Sequence, residues 1–338
     1  MSKALLAIQG VKTEFRLGRA RALQAVQGVD LSISAGEIVG LVGESGSGKS
    51  VLALSMLRLV QPPGQITDGH ILFDGEDVMQ MSARALSAWR GRDVGMIFQQ
   101  PQSCLNPVKR IGWQVAEPLL RHEKIGRKAA WAAAIDLLRA VGIPAPEEKV
   151  LAYPHELSGG QAQRVMIAIA LALKPRLLIA DEPTTALDVT IQAQILELLS
   201  ERCRTLGTSL LLVTHDLGVV ARIADRVAVM YAGRIVEEGP VEAMLTAPSH
   251  PYTKGLIAAA PQLGQAQGGR LKDIPGAIPD LSRPYAGCAF APRCELRQSL
   301  SLKACDNAQP APTTVGSAHT VRCFGAAGSI QSEMRVTS

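Results

Sequence analysis

The sequence predicts an α/β protein with a parallel central sheet, and three observations support this fold class. Continuous apolar runs recur at 176–181, 209–215 and 226–233. Runs of this kind are typical of strands that are covered on both faces in a parallel sheet. Segments with helical periodicity separate them. A glycine-rich turn also joins an earlier apolar strand, GEIVGLVG at 36–43, to an apolar helix at 49–60.

The remaining elements follow in chain order. Two short β segments are expected around GHILFDGED and DVGMIFQQ, and a helical stretch is expected over roughly 110–142. Gly142 should end that stretch because glycine readily adopts the left-handed conformation found after helices. Another helix is expected at 190–206, before the second of the continuous runs.

A second, smaller domain is expected at the C-terminal end. After about Pro261 the chain becomes rich in Pro, Gly and Gln, which indicates a linker or a segment dominated by loops. We therefore predict a main domain at 1–255, with a helical part at about 100–175, and a C-terminal extension at 256–338.

Composition excludes several classes of protein. The hydrophobic content of 47% is sufficient for a large core, and the net charge of +5 is spread along the chain, which makes no case for a nucleic-acid partner. Six cysteines are too few for a disulfide scaffold. The longest apolar run, VMIAIALAL, has nine residues, against roughly 18 for a membrane span. The first residues do not read as a signal peptide, so we expect a soluble or peripheral cytosolic protein.

A phosphate-binding loop is predicted at GESGSGKS, Gly43 to Ser50. The segment fits G-x-x-x-x-G-K-[ST] and lies between a predicted strand and a predicted helix, as that motif requires. Its backbone N–H groups would bind the α and β phosphates, Lys49 would reach the β and γ oxygens, and Ser50 would bind Mg²⁺. A plain surface turn is the alternative, which the flanking elements disfavour. The candidate residues are Gly43, Glu44, Ser45, Gly46, Ser47, Gly48, Lys49, Ser50 and Val51.

Further candidates follow other predicted strands. Asp181, in LLIADEP, would hold Mg²⁺, and Glu182 would polarise the water that attacks the γ phosphate. Gln99 would bind Mg²⁺ or the attacking water, and His215 would donate a hydrogen bond to the γ phosphate. A buried strand followed by a turn would also explain the acids, and a histidine at a strand end is more often structural. The phosphate loop upstream favours the catalytic interpretation.

A second anion site is predicted in HELSGGQAQRV. Ser158 is a candidate N-cap, Gly159 and Gly160 would let a ligand approach the backbone, and Gln161 lies in the first turn of the helix that follows. This site has no adjacent lysine. A chain with one nucleotide motif therefore carries two places for phosphate, and the second lacks a cation of its own.

The order of these motifs, with TALD at 185–188, resembles the ABC ATPase family over about residues 5–255. The resemblance implies a RecA-like parallel core, an antiparallel β subdomain and a helical subdomain. It also implies that the signature of one subunit, here Ser158 to Gln161, closes over ATP held by the phosphate loop of another. Asp188 would then lie at the subunit interface. Phe15 is the candidate for the aromatic ring that stacks on adenine, with a place in the core as the alternative.

The C-terminal motifs narrow the resemblance. PSHPYTKGLIAAAP (248–261), IPGAIPDL (274–281) and GCAFAPRC (287–294) resemble the end of the ATPase subunits of oligopeptide, dipeptide and nickel importers. This implies an ATPase, a translocase subunit, that powers import of peptides from the cytoplasmic side of a bacterial inner membrane. The implied partners are a second, related ATPase subunit in a heterodimer, two membrane permeases and an extracytoplasmic substrate-binding protein. Three alternatives remain: a nickel or other small-solute importer, a non-transport ABC ATPase, and a regulatory subunit without activity.

The C-terminal extension contains four of the six cysteines, and four thiolates can enclose Zn²⁺ or an iron–sulfur cluster. Their spacing includes no C-x-x-C pair, which disfavours an ordinary zinc ribbon. The resemblance implies a four-iron four-sulfur (4Fe–4S) cluster, with Zn²⁺, and unligated thiols or disulfides, as the alternatives. The predicted ligands are Cys288, Cys294, Cys305 and Cys323, whereas Cys104 and Cys203 are expected to be inert.

Overall fold

The computed structural model describes residues 4–18, 21–185, 187–259, 274–283 and 285–326. The chain forms two compact units. The first contains mainly Glu76–Val213, and the second contains Leu6–Ser32, Val39–Gly75 and the chain from Thr214 onwards. Residues 261–273 of the segment predicted as a linker lie outside the described residues. Within the described ranges, no helix is both long and apolar enough to span a bilayer.

The first unit is built on three parallel strands. β7 lies between β6 and β8, with Val94 opposite Leu177 and Leu177 opposite Ser209. Every residue of β7 is buried, as its continuous apolar sequence predicts. The strands of this unit are β5 (Glu76–Asp77), β6 (Val94–Ile97), β7 (Leu177–Asp181) and β8 (Ser209–Thr214).

Helices make up most of the rest of the first unit. α7 packs against α3, α4, α5 and α8. The predicted helical stretch at 110–142 is two helices, and Gly142, with a φ of 74°, follows the second as expected. These helices are α2 (Ala83–Arg92), α3 (Pro101–Cys104), α4 (Ile111–His122), α5 (Arg127–Ala140), α6 (Pro146–Lys149), α7 (Gly159–Leu171) and α8 (Val189–Leu206). Short 3₁₀ turns lie at Val78–Gln80 and Pro154–Glu156.

The second unit contains two groups of strands. In one, β1 lies between β2 and β4 and is antiparallel to β4. In the other, β9 is parallel to β3 and antiparallel to β10, and β12 and β11 continue the sheet beyond β10. The strands are β1 (Ala4–Arg16), β2 (Ala22–Ser34), β3 (Ile38–Val42), β4 (Gly64–Phe73), β9 (Arg226–Tyr231), β10 (Arg234–Pro240), β11 (Thr313–Gly316) and β12 (His319–Val321). The C-terminal extension therefore adds two strands to the group that includes β3.

The helices of the second unit are short. The helix predicted at 49–60 ends at Met56, and Arg58 has a φ of 51°, which an α-helix cannot accommodate. The helices are α1 (Lys49–Met56), α9 (Leu217–Ile223), α10 (Val241–Thr246), α11 (Pro251–Ala259), α12 (Glu295–Ser299) and α13 (Ala304–Asn307), with a 3₁₀ turn at Ala291–Arg293.

Candidate nucleotide-binding site

The phosphate loop joins β3 to α1 in the second unit. Gly48 precedes α1 and has a φ of 104°, which residues other than glycine rarely adopt. A Cβ atom at Gly43 would lie 2.2 Å from the backbone oxygen of Met230, and one at Gly48 would lie 2.2 Å from that of Ala25. Glycine is therefore required at both positions, because neighbouring backbone leaves no room for a side chain.

The Lys49 ammonium is held inside this loop. Its Nζ donates to the carbonyl oxygens of Gly43 at 2.7 Å and Glu44 at 2.9 Å, and to Ser47 Oγ at 3.4 Å. Lys49 is only 4% exposed. A cation fixed in this way lies beside the loop amides that bind phosphate oxygens in this motif. Ser50 follows in the first turn of α1, which suits its predicted role toward Mg²⁺.

Gln99 and Glu182 are brought together in the first unit. Gln99 Nε2 donates to Glu182 Oε2 at 2.7 Å, and Thr185 Oγ1 donates to the same oxygen at 2.9 Å. Gln99 follows β6 and Glu182 follows β7, and these strands are parallel neighbours. Sequence reasoning named both residues but not their contact, and it noted Thr185 only as the first residue of TALD.

The backbone of Glu182 is unusual. Its φ is 44°, a left-handed conformation that is uncommon for a residue other than glycine, and its N–H donates to the Val213 carbonyl at 2.8 Å. Strained residues of this kind occur often at functional sites, where the surrounding structure holds them in place. Asp181, the residue before it, ends β7 and is 6% exposed.

The predicted second anion site is the N-terminus of α7. Ser158 Oγ accepts a hydrogen bond from the Gln161 N–H at 3.3 Å, and Gln161 Oε1 accepts one from the Ser158 N–H at 3.2 Å. This capping box confirms Ser158 as the N-cap. Ser158 is exposed, and the first amides of such a helix have no partner within it, so the end is open to an anion.

The two signature glycines lie beside the segment that precedes α8. A Cβ atom at Gly159 would lie 3.5 Å from the Leu187 side chain, and one at Gly160 would lie 3.1 Å from the Ile191 side chain. Asp188 is the N-cap of α8, and its Oδ1 accepts from the Ile191 N–H at 2.9 Å. The signature glycines, Leu187 and the start of α8 therefore form one surface of the first unit.

Two other candidates lie in the second unit. His215 is exposed and precedes Asp216, which caps α9 by accepting from the Gly218 N–H at 2.8 Å. Phe15 is half-buried in β1, where it is paired with Gly64 of β4. A Cβ atom at Gly64 would lie 2.5 Å from the Phe15 ring. The ring therefore covers that glycine, and its stacking on adenine stays a prediction.

The C-terminal extension contacts the phosphate loop directly, which sequence reasoning did not predict. The Glu44 carboxylate accepts two hydrogen bonds from the Arg293 guanidinium, at 2.8 and 3.0 Å. The Glu44 N–H donates to the Tyr252 hydroxyl at 2.8 Å. Both contact residues belong to motifs already noted, HPYT and APRC, but no local pattern indicates which loop they meet.

The four C-terminal cysteines converge on one cavity. All four are free thiols, and Cys288 is half-buried while the others are buried. Burial, with a smaller contribution from the neighbouring thiols, raises the pKa of Cys288 and of Cys305 to about 11. Thiolates in such a place need a nearby cation. The donor type therefore fits a thiolate-bound metal, although no group of three or more His, Cys, Asp or Glu side chains in the described part of the chain is arranged to hold an ion.

The other two cysteines lie in the first unit. Cys203 is buried in α8, and burial raises its pKa to about 12, which suits an inert thiol. Cys104 is exposed at the end of α3, and partial burial of its thiol raises its pKa.

Glu237 of β10 organises the part of the chain that leads into the extension. Its buried carboxylate accepts hydrogen bonds from the backbone N–H of Ser249 and of His250, and it pairs with His319 Nε2 at 2.8 Å. His250 Nδ1 accepts from the Tyr252 N–H at 3.0 Å, which requires an unprotonated Nδ1. Burial lowers the pKa of His250 to about 4. These contacts fix the backbone that carries Tyr252.

Comparison with known proteins agrees with this geometry. The profile of the ABC transporter family matches residues 26–185, and that of the oligopeptide/dipeptide transporter C-terminal region matches residues 236–300. The oligopeptide transport ATP-binding protein OppD of Bacillus subtilis is 50% identical over 85% of this chain and 80% of its own length. A putative peptide import ATP-binding protein of Brucella melitensis is 50% identical over 95% of this chain and 96% of its own.

A solved structure shares the fold. The ATP-binding cassette MJ0796, described as a dimer in a post-hydrolysis state with ADP and Pi, superposes with a TM-score of 0.63 at 28% identity, over 70% of this chain and 98% of that one. This confirms the predicted fold class, including parallel and antiparallel strands and the helical part. The chain is therefore an ATP-binding cassette ATPase and belongs to the ABC transporter family, in the group that carries the oligopeptide/dipeptide transporter C-terminal region.

Proposed function

We propose that the chain is the ATP-hydrolysing subunit of an importer of dipeptides and oligopeptides. The observation that carries this proposal is sequence identity. Over 85% of its length the chain is 50% and 49% identical to proteins named for oligopeptide and for dipeptide transport. The C-terminal region, absent from a bare cassette, is part of that similarity. A nickel or other small-solute importer is the alternative, because an ATPase subunit does not touch the cargo.

The site residues support a division of roles in hydrolysis. The phosphate loop and Lys49 bind the β and γ phosphates, and Glu182 accepts a proton from the attacking water while Gln99 and Thr185 hold its carboxylate. Ser50, Gln99 and Asp181 are the proposed ligands of Mg²⁺, which when bound neutralises charge on the phosphates. His215 is proposed to donate a hydrogen bond to the γ phosphate.

We further propose that the signature completes the site of a partner. The capped end of α7 offers backbone N–H groups and a helix dipole but no lysine, which suits a phosphate whose other side is already neutralised. Asp188 lies on the same surface. The similar cassette was solved as a dimer. The proposed partner is a second, related ATPase subunit.

The permease contact is proposed at a groove next to α4. Trp113 is 46% exposed and Val108 is 76% exposed, and exposed apolar side chains that lie close together can mark a contact site. The loop before α4 is held by Gln114, whose Nε2 donates to the Asn106 and Lys109 carbonyls. The groove combines Trp113 and Leu120 with charged side chains such as Glu117 and Arg121, so it suits an amphipathic helix of a membrane subunit. It would place the chain on the cytoplasmic face of the inner membrane, with a substrate-binding protein on the other side.

We also propose that Cys288, Cys294, Cys305 and Cys323 bind a 4Fe–4S cluster, with Zn²⁺ as the alternative. Their convergence on one cavity supports the proposal. Protein purified without oxygen should show visible absorption together with iron and acid-labile sulfide. Cys305→Ser should lose the visible absorption together with the iron and sulfide, while Cys203→Ser, at a buried position of α8, should keep them. A colourless preparation that contains zinc, or no metal, contradicts the cluster.

The transport proposal is tested in proteoliposomes that contain the complex of this chain with its permeases and second ATPase. We expect binding protein loaded with peptide to stimulate ATP hydrolysis and peptide uptake, and Glu182→Gln to abolish both. Glu201→Gln, an exposed acid on α8, serves as the matched control. Uptake of Ni²⁺ instead of peptide would favour the alternative importer, and stimulation by DNA or ribosomes instead would exclude transport.

A further inference from the structure

Glu44 is the residue where the C-terminal extension meets the nucleotide site. It is the second residue of the phosphate loop, directly after Gly43. Each of its polar groups has a partner: the N–H donates to Tyr252, the carboxylate accepts from Arg293, and the carbonyl oxygen accepts from Lys49 Nζ at 2.9 Å. Two of these three partners lie outside the loop and far along the chain.

The pair between Glu44 and Arg293 differs from an ordinary surface ion pair. The two hydrogen bonds are parallel, which is the fork geometry that a guanidinium and a carboxylate prefer. The Arg293 side chain is 6% exposed and that of Glu44 is 25% exposed. Exposed pairs contribute little, whereas loss of one partner from a buried pair leaves the other charge without compensation.

Contacts other than the one with Glu44 also hold Arg293 in place. Its Nε donates to the Pro275 carbonyl at 2.8 Å, and its Nη2 donates to the Ile274 carbonyl at 3.0 Å. Its guanidinium also lies over the rings of Tyr231 and Phe290, at 5.7 and 5.8 Å from their centroids. The fork is therefore aimed at the loop by the extension itself, and a lysine could not reproduce it.

Tyr252 is also held in place, by burial and by packing against other aromatic rings. It is fully buried, and its ring packs against Tyr231 at 4.6 Å and Phe290 at 5.5 Å between centroids. Its hydroxyl accepts the Glu44 N–H. The backbone orientation of Glu44 is thus set by an aromatic cluster formed by β9, α11 and the segment before Arg293.

The orientation of Glu44 matters because its carbonyl oxygen accepts from Lys49. The rest of the loop has other anchors, since the Ser47 carbonyl accepts from the Gly233 N–H at 2.8 Å and Gly48 is confined by Ala25. A rotation of the Glu44 peptide would remove one acceptor from the Lys49 ammonium. The extension therefore acts on the cation through one residue.

We infer that Arg293 of the C-terminal extension and Tyr252, at the start of α11 just before it, are positioning residues for the phosphate loop, so that the extension is part of the ATP-binding site of this chain. They hold the loop in the form that receives phosphates, which reduces the ordering that binding requires. Their loss should weaken ATP binding and raise KM, with little effect on kcat. The inference rests on the loop being the nucleotide site, which Lys49→Ala tests separately, and it does not depend on the cargo.

The test measures the Kd of ATP for the full-length chain, and KM and kcat for the assembled transporter. We expect Arg293→Ala and Glu44→Gln each to weaken ATP binding about 10-fold, or about 1.4 kcal/mol. Arg293→Lys should recover only part of this loss. Because both substitutions break the same contact, between Arg293 and Glu44, the double variant should bind ATP no more weakly than either single variant. Arg297→Ala, which breaks the pair with Asp306 in the same extension, should leave the Kd unchanged.

A milder variant covers the case in which Arg293→Ala does not fold. Tyr252→Phe keeps the ring in its cluster and removes only the acceptor for the Glu44 N–H, and we expect ATP binding about 3-fold weaker. The inference is overturned if folded Glu44→Gln and Tyr252→Phe bind ATP as the parent does. It is also overturned if the losses in the double variant are additive, or if Arg297→Ala weakens binding as much as Arg293→Ala.

Discussion

The side-chain amide of Gln99 donates a 2.7 Å hydrogen bond to the carboxylate of Glu182. The Thr185 hydroxyl donates to the same oxygen at 2.9 Å, so two donors orient the Glu182 carboxylate. The backbone of Glu182 is held in a left-handed conformation, with a φ of 44°. A base that is already oriented needs little reorganisation when it accepts a proton. The contact joins the end of β6 to the end of β7, so a displacement of the loop after β6 would also move the base.

Glu182→Gln should abolish turnover while ATP remains bound. An amide cannot accept the proton from water, and loss of a general base lowers kcat by about 10²- to 10⁴-fold. Phosphate release and retained ATP should be measured on the same protein, with association of subunits followed by light scattering. Rapid hydrolysis by this variant would remove Glu182 from the role of base.

Gln99→Ala should lower kcat about 10-fold, because the carboxylate loses one of its two orienting donors. ATP affinity should change less than kcat. Gln100→Ala is the matched control, since Gln100 is exposed and its side chain accepts only a local hydrogen bond from Ser103. Equal losses in the two variants would show that the effect comes from the loop and not from the contact with Glu182.

Lys49→Ala should weaken ATP binding about 100-fold, because it removes a buried cation that is held against the loop. The measurement is the Kd of ATP by calorimetry on the full-length chain. Lys128→Ala, on the exposed face of α5, should bind as the parent does. Unchanged affinity in Lys49→Ala would contradict the assignment of the loop.

Ser158→Ala should reduce both the stability of the protein and its association with the partner subunit, and a control variant at another helix cap separates the two effects. Loss of the cap on α7 should lower the free energy of unfolding by about 1 kcal/mol, and Ser82→Ala should do the same at α2, where Ser82 accepts from the Ala85 N–H. Only Ser158→Ala should also weaken the ATP-dependent association of subunits. If both variants associate normally, the signature does not bind the partner's nucleotide.

His250 should make the protein less stable in acid. Burial lowers its pKa from 6.5 to about 4, a net shift that Glu237 opposes and Lys254 supports. The unfolded chain therefore binds the proton first, so stability is complete above pH 6.5 and declines as the pH falls toward 4, by about 3 kcal/mol in all.

The pH dependence is checked by urea unfolding between these limits. His250→Asn keeps an acceptor for the Tyr252 N–H and should flatten this part of the profile. The exposed His155→Gln should not change it. An unchanged slope in His250→Asn would assign the decline to other groups.

Elements with a continuous apolar sequence were predicted well. β3, β7 and β8 are buried at every residue, and such strands need no knowledge of their neighbours to be recognised. The long strands β1 and β2 were not predicted. Each has one exposed side and a glycine with positive φ, Gly10 at 60° and Gly28 at 69°, and these glycines resemble turns in sequence.

The sequence alone determined the residue types and their order: a loop that requires glycine, a lysine after it, acids that follow a buried strand, and a capped helix start without a cation. Local chemistry is sufficient for these because each depends on neighbours within a few residues. The contacts of Gln99 with Glu182 and of Arg293 with Glu44 become visible only in the folded protein, because the two pairs are separated by 83 and 249 residues along the chain. Such contacts depend on which strands and loops the packed core brings together, and no local pattern records that.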